Sequence, residues 1–569
     1  MKILLTALNS KYIHSNLAIR YLRAYTEKLD YDCVIREFTI NDILDRVLEE
    51  IISEKPNIVA FSCYIWNIEY IKSLAVLIKL VDPKIQILYG GPEVSYDSCK
   101  FLKDAAGEYV IIGEGEETYC EFVKLQIENF RNSGRENSET DFLKLKNING
   151  LCFKWNNKII LNEYRRLMDM NRIVFPYKVK EDFQNKIIYY ESSRGCPFNC
   201  KYCLSSTTAG VRFLNIERVK AELQFLMRKN IKLIKFVDRT FNCNHEFTMK
   251  LWKFIIDTDT NITFHFEISA DILTEDEIEL LQRAPAGRIQ LEVGVQTTND
   301  RVLNNINRHV EFQEIKRKVK KVEKNHNVKQ HLDLIAGLPG EDFSSFKKSF
   351  NDVYSVKPEE IQLGFLKLLK GSDLRKDAKN LGIVYSPYAP YEVLKTDNIS
   401  YEELVVLKRI EKMVDKYYNS GKFTHILNYF TTKFKTAFDF YYELGMFFYN
   451  SGYLTRNISS AEYYKVFVEF EEQYLKEKNV ELNEIIKYDY LKFNKKRWLP
   501  DFLLRYRDKY GEKLIKQKIQ DKDIAVSKNY YLEKFSINIE KLLKSSLIEK
   551  EDGYVVFDGE RELYFFGHI

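Results

Sequence analysis

The chain contains no run of about 18 uncharged apolar residues, which a membrane-spanning helix would need. Its opening stretch, MKILLTALNSKYIHSN, turns polar too early for a secretory signal. It also lacks an excess of either charge: 87 Lys and Arg face 82 Asp and Glu, and the net +5 leaves no global footprint for nucleic acid. No internal repeat of 20 to 50 residues is visible, and the 23 glycines and 11 prolines are scattered. With hydrophobic residues at 45% and aromatics at 14%, disorder and low-complexity classes are excluded. A folded protein, expected in the cytoplasm, remains; 569 residues suggest about three domains. Nine cysteines without an export signal do not read as a disulfide framework, because the cytosol keeps thiols reduced.

Along residues 1–130, KILLTAL, YDCVIREF, NIVAFSCYI, KIQILYGG and EYVIIGEGE read as strands by length and β-branched content. NLAIRYLRAYTEKL and IEYIKSLAVLIKLV read as helices between them. The alternation predicts an α/β, doubly wound parallel sheet of flavodoxin-like type, with ligands outside the carboxyl ends of its strands. Residues 131–185 read as a linker: a polar surface loop at 131–140, then a hairpin, INGLCFKWNNKIILNE, leading into the next unit. Residues 186–384 hold six further β/α units, three quarters of a TIM-type barrel, whose chemistry belongs at the C-terminal strand ends. Residues 385–569 change to helices dense in Tyr, Phe and Lys, closing on the hairpin-like DGYVVFDGERELYFF. The basic aromatic stretch at 488–518 offers stacking and cationic contacts to RNA, or equally a solvated helix face over buried aromatics; nucleic acid is not the expected partner.

The densest chemistry lies in ESSRGCPFNCKYCLSS, where Cys196, Cys200 and Cys203 fall within eight positions at the end of the first barrel strand. A structural zinc ion needs four ligands and would have to recruit Cys243 or His245. A 4Fe-4S cluster on three thiolates leaves one iron open to a substrate or cofactor. Gly195 permits a tight turn and Tyr202 supplies an aromatic wall.

CPFNCKYC matches CxxxCxxC with an aromatic before the last cysteine, and here the chain resembles the radical S-adenosylmethionine superfamily. The resemblance implies that the open iron chelates S-adenosylmethionine (SAM) and that one electron cleaves it to methionine and a 5′-deoxyadenosyl radical. It implies SAM contacts at Tyr202; at Asp238 and Thr240 in FVDRTFN, which replaces the family's GGE stretch; at Glu267, Glu292 and Gln296; and at Asp333 and Gly337 in DLIAGLPGE. A carboxylate facing into a barrel is costly unless it is paired, which favours a functional role for Glu267 or Glu292.

FSCYIWN, YGGPEVS and VIIGEGEE, ahead of such a barrel, resemble the cobalamin-binding domain of one class of that superfamily. The candidate contacts are Ser62, Tyr64 and Trp66; Gly90, Gly91, Pro92 and Glu93; and Gly113, Glu114 and Gly115. The loop after the first strand carries His14 without the Asp and Gly of DxHxxG, so His14 either ligates cobalt, contacts the corrin edge or caps the helix. The resemblance implies an enzyme using a 4Fe-4S cluster, SAM and cobalamin for methyl transfer to an unactivated carbon or phosphorus centre. Its substrate would be a small molecule or peptide, its electron donor a flavodoxin or ferredoxin, its habitat low in oxygen, and its C-terminal domain specific to its own subfamily. Radical rearrangement or cyclisation is an alternative. So is a non-catalytic sensor, which would not need the strand-end carboxylates. A methylthiotransferase acting on RNA would need a second cluster on Cys33, Cys63 and Cys99, but Cys33 lies in a strand interior; Cys33, Cys63 and Cys99, with Cys120, Cys152 and Cys243, read as packing residues.

Overall fold

The computed structural model describes all residues except 132–138, 209, 495–498, 507, 546, 560 and 568–569. Most of the polar loop expected at 131–140, and parts of the stretch at 488–518 and of the terminal hairpin, therefore lie outside the described residues. The chain divides into two compact units, Met1–Asp342 with Gly364–Ser400, and Phe343–Leu363 with Tyr401–Ile569. Among the described residues no helix is long and apolar enough to cross a membrane.

In the first unit, β1 (Lys2–Asn9), β2 (Asp32–Thr39), β3 (Ile58–Ser62), β4 (Gln86–Gly90) and β5 (Tyr109–Ile111) form a parallel sheet in the order β2-β1-β3-β4-β5. β1 and β3 are apolar on both faces and sit centrally, whereas the mixed sequence of β2 suits an edge. Leu4, Val59 and Ile87 pack on one face, and Ile3, Leu5 and Leu88 on the other. The helix Ile68–Val81 covers the first face with Ile71, Leu74, Ala75 and Ile78, the spacing of a helical stripe.

The hairpin expected to lead into the next unit belongs instead to this sheet. Its strands β6 (Leu151–Trp155) and β7 (Lys158–Leu161) add antiparallel to β5. The physical reason is edge protection: Cys152 and Phe153 of β6 each complete one of the two cores beside a three-residue strand that could not cover itself.

The chain then enters β8 (Ile188–Tyr190), a short hairpin of β9 (Ser193–Gly195) and β10 (Val211–Phe213), and the strands β11 (Leu233–Phe236), β12 (Thr263–Ile268), β13 (Ile289–Gln296), β14 (Lys329–Ala336) and β15 (Glu360–Phe365). The second sheet has the order β8-β11-β12-β13-β14-β15, each strand beside its predecessor as in a barrel wall, and β8 to β14 are parallel. All six strands expected from the sequence are present.

The segment Gly364–Ser400 groups with the first unit, and Phe343–Leu363 groups with Tyr401–Ile569. The second unit is mainly helical, with a three-stranded antiparallel sheet of Tyr531–Ile537, Lys550–Asp558 and Arg561–Phe566. Its abundant aromatics fill a core: Tyr417, Phe423, Phe430, Phe467 and Phe470 are buried and meet in edge and stacked pairs. Replacing the fully buried Phe467 by Ala should destabilise this unit by about 3–5 kcal/mol, read as a lowered urea midpoint in far-UV circular dichroism of the full chain.

Candidate active site

The three cysteines sit in the loop that β9 and β10 close. Gly195 at its root has φ +105°, and a side chain there would run into the carbonyl oxygen of Gly210, so only glycine lets the hairpin pinch shut. Cys196, Cys200 and Cys203 line one cavity of about 170 Å³. Each sulfur has a polar neighbour: Thr240 Oγ1 lies 3.4 Å from Cys196, Arg308 Nη1 3.8 Å from Cys200, and the Ser205 amide donates to Cys203 at 3.4 Å. Hydrogen bonds and a guanidinium at thiolates lower the cost of their charge and tune the potential of a bound cluster. A closed zinc site has less support. His245, a candidate fourth ligand, is held by Glu277 and Asp276. Three soft ligands spread around a cavity fit a cluster larger than one ion.

The facing wall carries Glu267 of β12, Glu292 and Gln296 of β13, and Asp333 of β14, together with Tyr202 and Thr240. Parallel register sets Glu267 beside Glu292, and Asp333 beside Gly294. Glu292 accepts from His265 at 2.9 Å and Lys235 at 3.1 Å, and despite burial these partners hold its carboxyl down to about 2. Burial raises Glu267 against the pull of Arg239, 3.9 Å away. Asp333 is raised by burial and by the charges of Glu292 and Glu267, and its Oδ1 is buried without a hydrogen-bond partner. An unpartnered, buried carboxyl oxygen at Asp333 and a bulge at Gly294–Gln296, where Gln296 takes φ +70°, mark this wall as a place for a polar ligand. The adenosyl, amino and hydroxyl groups of SAM fit such a wall.

Two expected contacts are not in the described lining of the cavity. Asp238 is 1% exposed and accepts from the Ser192 amide at 3.0 Å and from the Ser192 and Ser193 hydroxyls at 2.6 and 2.5 Å. It anchors the approach to the cysteine loop rather than facing a ligand. Gly337, at φ +85°, packs against Val393. Conversely, Arg308, Phe198 and Ser269 line the cavity unannounced, while Arg239 lines it as the FVDRTFN strand end suggested. Arg308 follows the helix Asp300–Asn305 in an ordinary NINRH stretch, and no spacing signals that it folds back on Cys200 and donates to Gly294 O at 2.5 Å.

At the carboxyl edge of the first sheet, Gly91 has φ +112° and a side chain there would lie 2.5 Å from Cys63 O, so Gly90, Gly91 and Pro92 form a flat turn into a short helix. Tyr64 and Trp66 stack at 4.3 Å, and Trp66 stays 45% exposed, an apolar platform that suits a corrin edge. Ser62 accepts from Asn16 at 3.2 Å. His14 Nδ1 pairs at 2.6 Å with Tyr189 OH of β8, and its loop is zipped to that strand by Ile187 N donating to Ile13 O at 2.7 Å.

Glu93, 2% exposed, is held by Lys370 Nζ at 2.6 Å and by the Tyr391 hydroxyl. Gly113 donates its amide to Ser95 Oγ at 3.2 Å, and Gly115 opens the way to the helix Glu116–Arg131, beside Ile111 and Leu22. Glu114 accepts from Arg212 Nη2 at 2.5 Å. Both carboxylates therefore serve contacts within the unit. Cys33 and Cys63 belong to cores on opposite faces of the sheet, and Cys99 lies 4.0 Å from Cys152, so Cys33, Cys63 and Cys99 do not converge.

His331, facing the same interior as His265 with ring centroids 5.7 Å apart, is lowered by burial and by His265 to about 4. The folded state then refuses a proton that the unfolded chain accepts near 6.5. Stability should fall as pH drops from 6.5 to 4, by at most ~1.4 kcal/mol per unit from this group, and urea titrations of His331→Gln should show a shallower slope.

Comparison with known proteins agrees with this layout. Residues 3–123 match the B12 binding domain, 190–353 the radical SAM superfamily, and 379–557 a protein family of unknown function, DUF4080. Over 286 residues the chain is 25% identical to the ribosomal protein uS12 methylthiotransferase RimO of Petrotoga mobilis, covering 47% of this chain and 64% of the relative. Over 241 residues it is 29% identical to an uncharacterized methyltransferase of Pyrococcus horikoshii, covering 40% and 49%. The chain thus spans less than two thirds of the length of these relatives. The fold is similar to that of TsrM from Kitasatospora setae, a radical SAM methyltransferase solved with cobalamin and a [4Fe-4S] cluster, at TM-score 0.55, 15% identity, and 68% and 76% coverage of the two chains. The chain therefore carries, in order, a segment that matches the B12 binding domain, one that matches the radical SAM superfamily and one that matches DUF4080.

Proposed function

We propose that this protein is a cobalamin-dependent radical SAM methyltransferase acting on an unactivated carbon or phosphorus centre of a small molecule or peptide. The observation that carries the reading is the single cavity in which three thiols face Glu267, Glu292 and Asp333, within the same compact unit as a B12-type sheet. The methyltransferase relatives support it. When bound, the cluster, SAM and cobalamin supply electron transfer, the 5′-deoxyadenosyl radical and the methyl group.

The chain's own part is binding and orientation. Cys196, Cys200 and Cys203 would hold the cluster, Arg308 would offset thiolate charge at Cys200, and Tyr202 would add an aromatic surface to the same cavity. Glu292, fixed by His265 and Lys235, presents a permanent anion. Asp333, raised by burial and by the neighbouring carboxylates, lines the same wall. An electron donor such as flavodoxin or ferredoxin completes the system. RimO-like methylthiotransfer with a second N-terminal cluster is disfavoured by the separation of Cys33, Cys63 and Cys99.

Anaerobic reconstitution with iron, sulfide and hydroxocobalamin, followed by optical and EPR spectra with SAM and reductant, tests the reading. A corrin band, a SAM-perturbed cluster signal and 5′-deoxyadenosine formation are expected. Cys200→Ala should lose the cluster signal and deoxyadenosine while keeping the corrin band. Zinc bound in place of iron would overturn it.

A further inference from the structure

The cysteine loop is closed by two strands that carry arginines directly opposite each other, Arg194 on β9 and Arg212 on β10. Like charges in that position repel, and neither side chain is free in water: they are 14% and 25% exposed. The compensation comes largely from the B12-type sheet. Glu114, in the turn after β5, binds Arg212 through both terminal nitrogens, at 2.5 and 3.2 Å, and lies 3.6 Å from Arg194 Nη1. Glu116 takes Arg194 Nη2 at 2.5 Å, and Glu191 takes its Nε at 3.0 Å. Arg212 also donates to Met168 O at 2.6 Å, while the Met168 amide donates to Glu114 at 3.0 Å, closing a ring of hydrogen bonds. The turn that carries Glu114 is tied in turn to the β4 loop, through Gly113 and Ser95.

We propose that Glu114 and Arg212 are positioning residues that couple the two cofactor sites: a cobalamin seated at the Gly113–Gly115 turn holds Glu114 in place, and Glu114 then keeps the cysteine loop closed around the cluster position. Because coupling is reciprocal, a formed cluster tightens cobalamin binding by the same factor that cobalamin orders the loop. The inference rests on the proposal that the first sheet binds cobalamin and that Cys196, Cys200 and Cys203 hold the cluster.

The test uses the full-length, cluster-free protein under anaerobic conditions, with hydroxocobalamin as the probe and hydrogen–deuterium exchange of the segment 196–208 as the readout. Wild-type protein should show slower exchange there on cobalamin binding, by about tenfold if one buried ionic hydrogen bond is at stake. Arg212→Gln, which leaves the sheet turn intact, should still show the corrin band and lose most of that protection. Arg212→Lys, keeping the charge without the paired contact, should retain part of it. It also carries the test should the glutamine variant fold poorly, as judged by circular dichroism.

A separate titration should show cobalamin binding tightened by cluster reconstitution in the wild type and unchanged by it in Arg212→Gln. Equal protection in the wild type and both variants, or cobalamin bound by the wild type with no change in loop exchange, would overturn the coupling. No corrin band in the wild type would overturn the reading of the first domain and the coupling with it. Cobalamin-dependent protection without any iron uptake on reconstitution would leave the coupling standing and sink the cluster assignment instead.

Discussion

The candidate site depends on two arginines being allowed to face each other across a hairpin of two three-residue strands. Arg194 and Arg212 sit opposite each other in antiparallel register, in surroundings that hide most of both side chains. Burying such charges costs several kcal/mol apiece unless they are paired with good geometry, and breaking a buried pair costs about 3–5 kcal/mol. Glu114, Glu116 and Glu191 provide that pairing. Glu114 and Glu116 lie just beyond β5, so the hairpin that closes the cysteine loop and the first sheet share one ionic network.

Around that knot the rest of the unit divides its tasks. Asp238 clamps the residues before the loop through Ser192 and Ser193, and Gly195 supplies the backbone freedom for the pinch. The segment after β15 reaches back to the sheet through Lys370 and Tyr391 on Glu93, and to the loop through the Leu374 amide on Lys201 O. The barrel interior is correspondingly polar. Lys235, His265, Glu292 and His331 form a band below the cavity where a closed barrel would carry branched aliphatics. Glu292 is satisfied there by His265 and Lys235, while Asp333 Oδ1, on the same wall of the cavity, has no partner.

The DUF4080 unit shows a different economy. Its Tyr and Phe residues, which composition alone could equally have placed around a pocket, pack on one another. Its buried charges are internally matched, His425 with Asp489 at 2.6 Å and Lys487 with Glu484 at 3.0 Å.

Strand and helix alternation, the order of the two sheets and the cysteine triplet could be read from the chain because each is a local pattern: apolar runs of strand length, stripes of helical spacing, and three ligands within eight positions. The carboxylates at strand ends were legible for the same reason, since a strand end is local and a barrel mouth collects strand ends. What the tertiary structure alone decided is which polar groups meet across long separations. Asp238 and Glu114 look like ligand contacts in sequence, yet Ser192 and Arg212 claim them, and Arg308 looks like nothing until a helix turns it onto Cys200. The hairpin at 151–161 likewise chose the older sheet because an exposed edge stood open there. Hydrogen bonding and charge pairing act at contact distance, so their partners are set by packing and not by spacing along the chain.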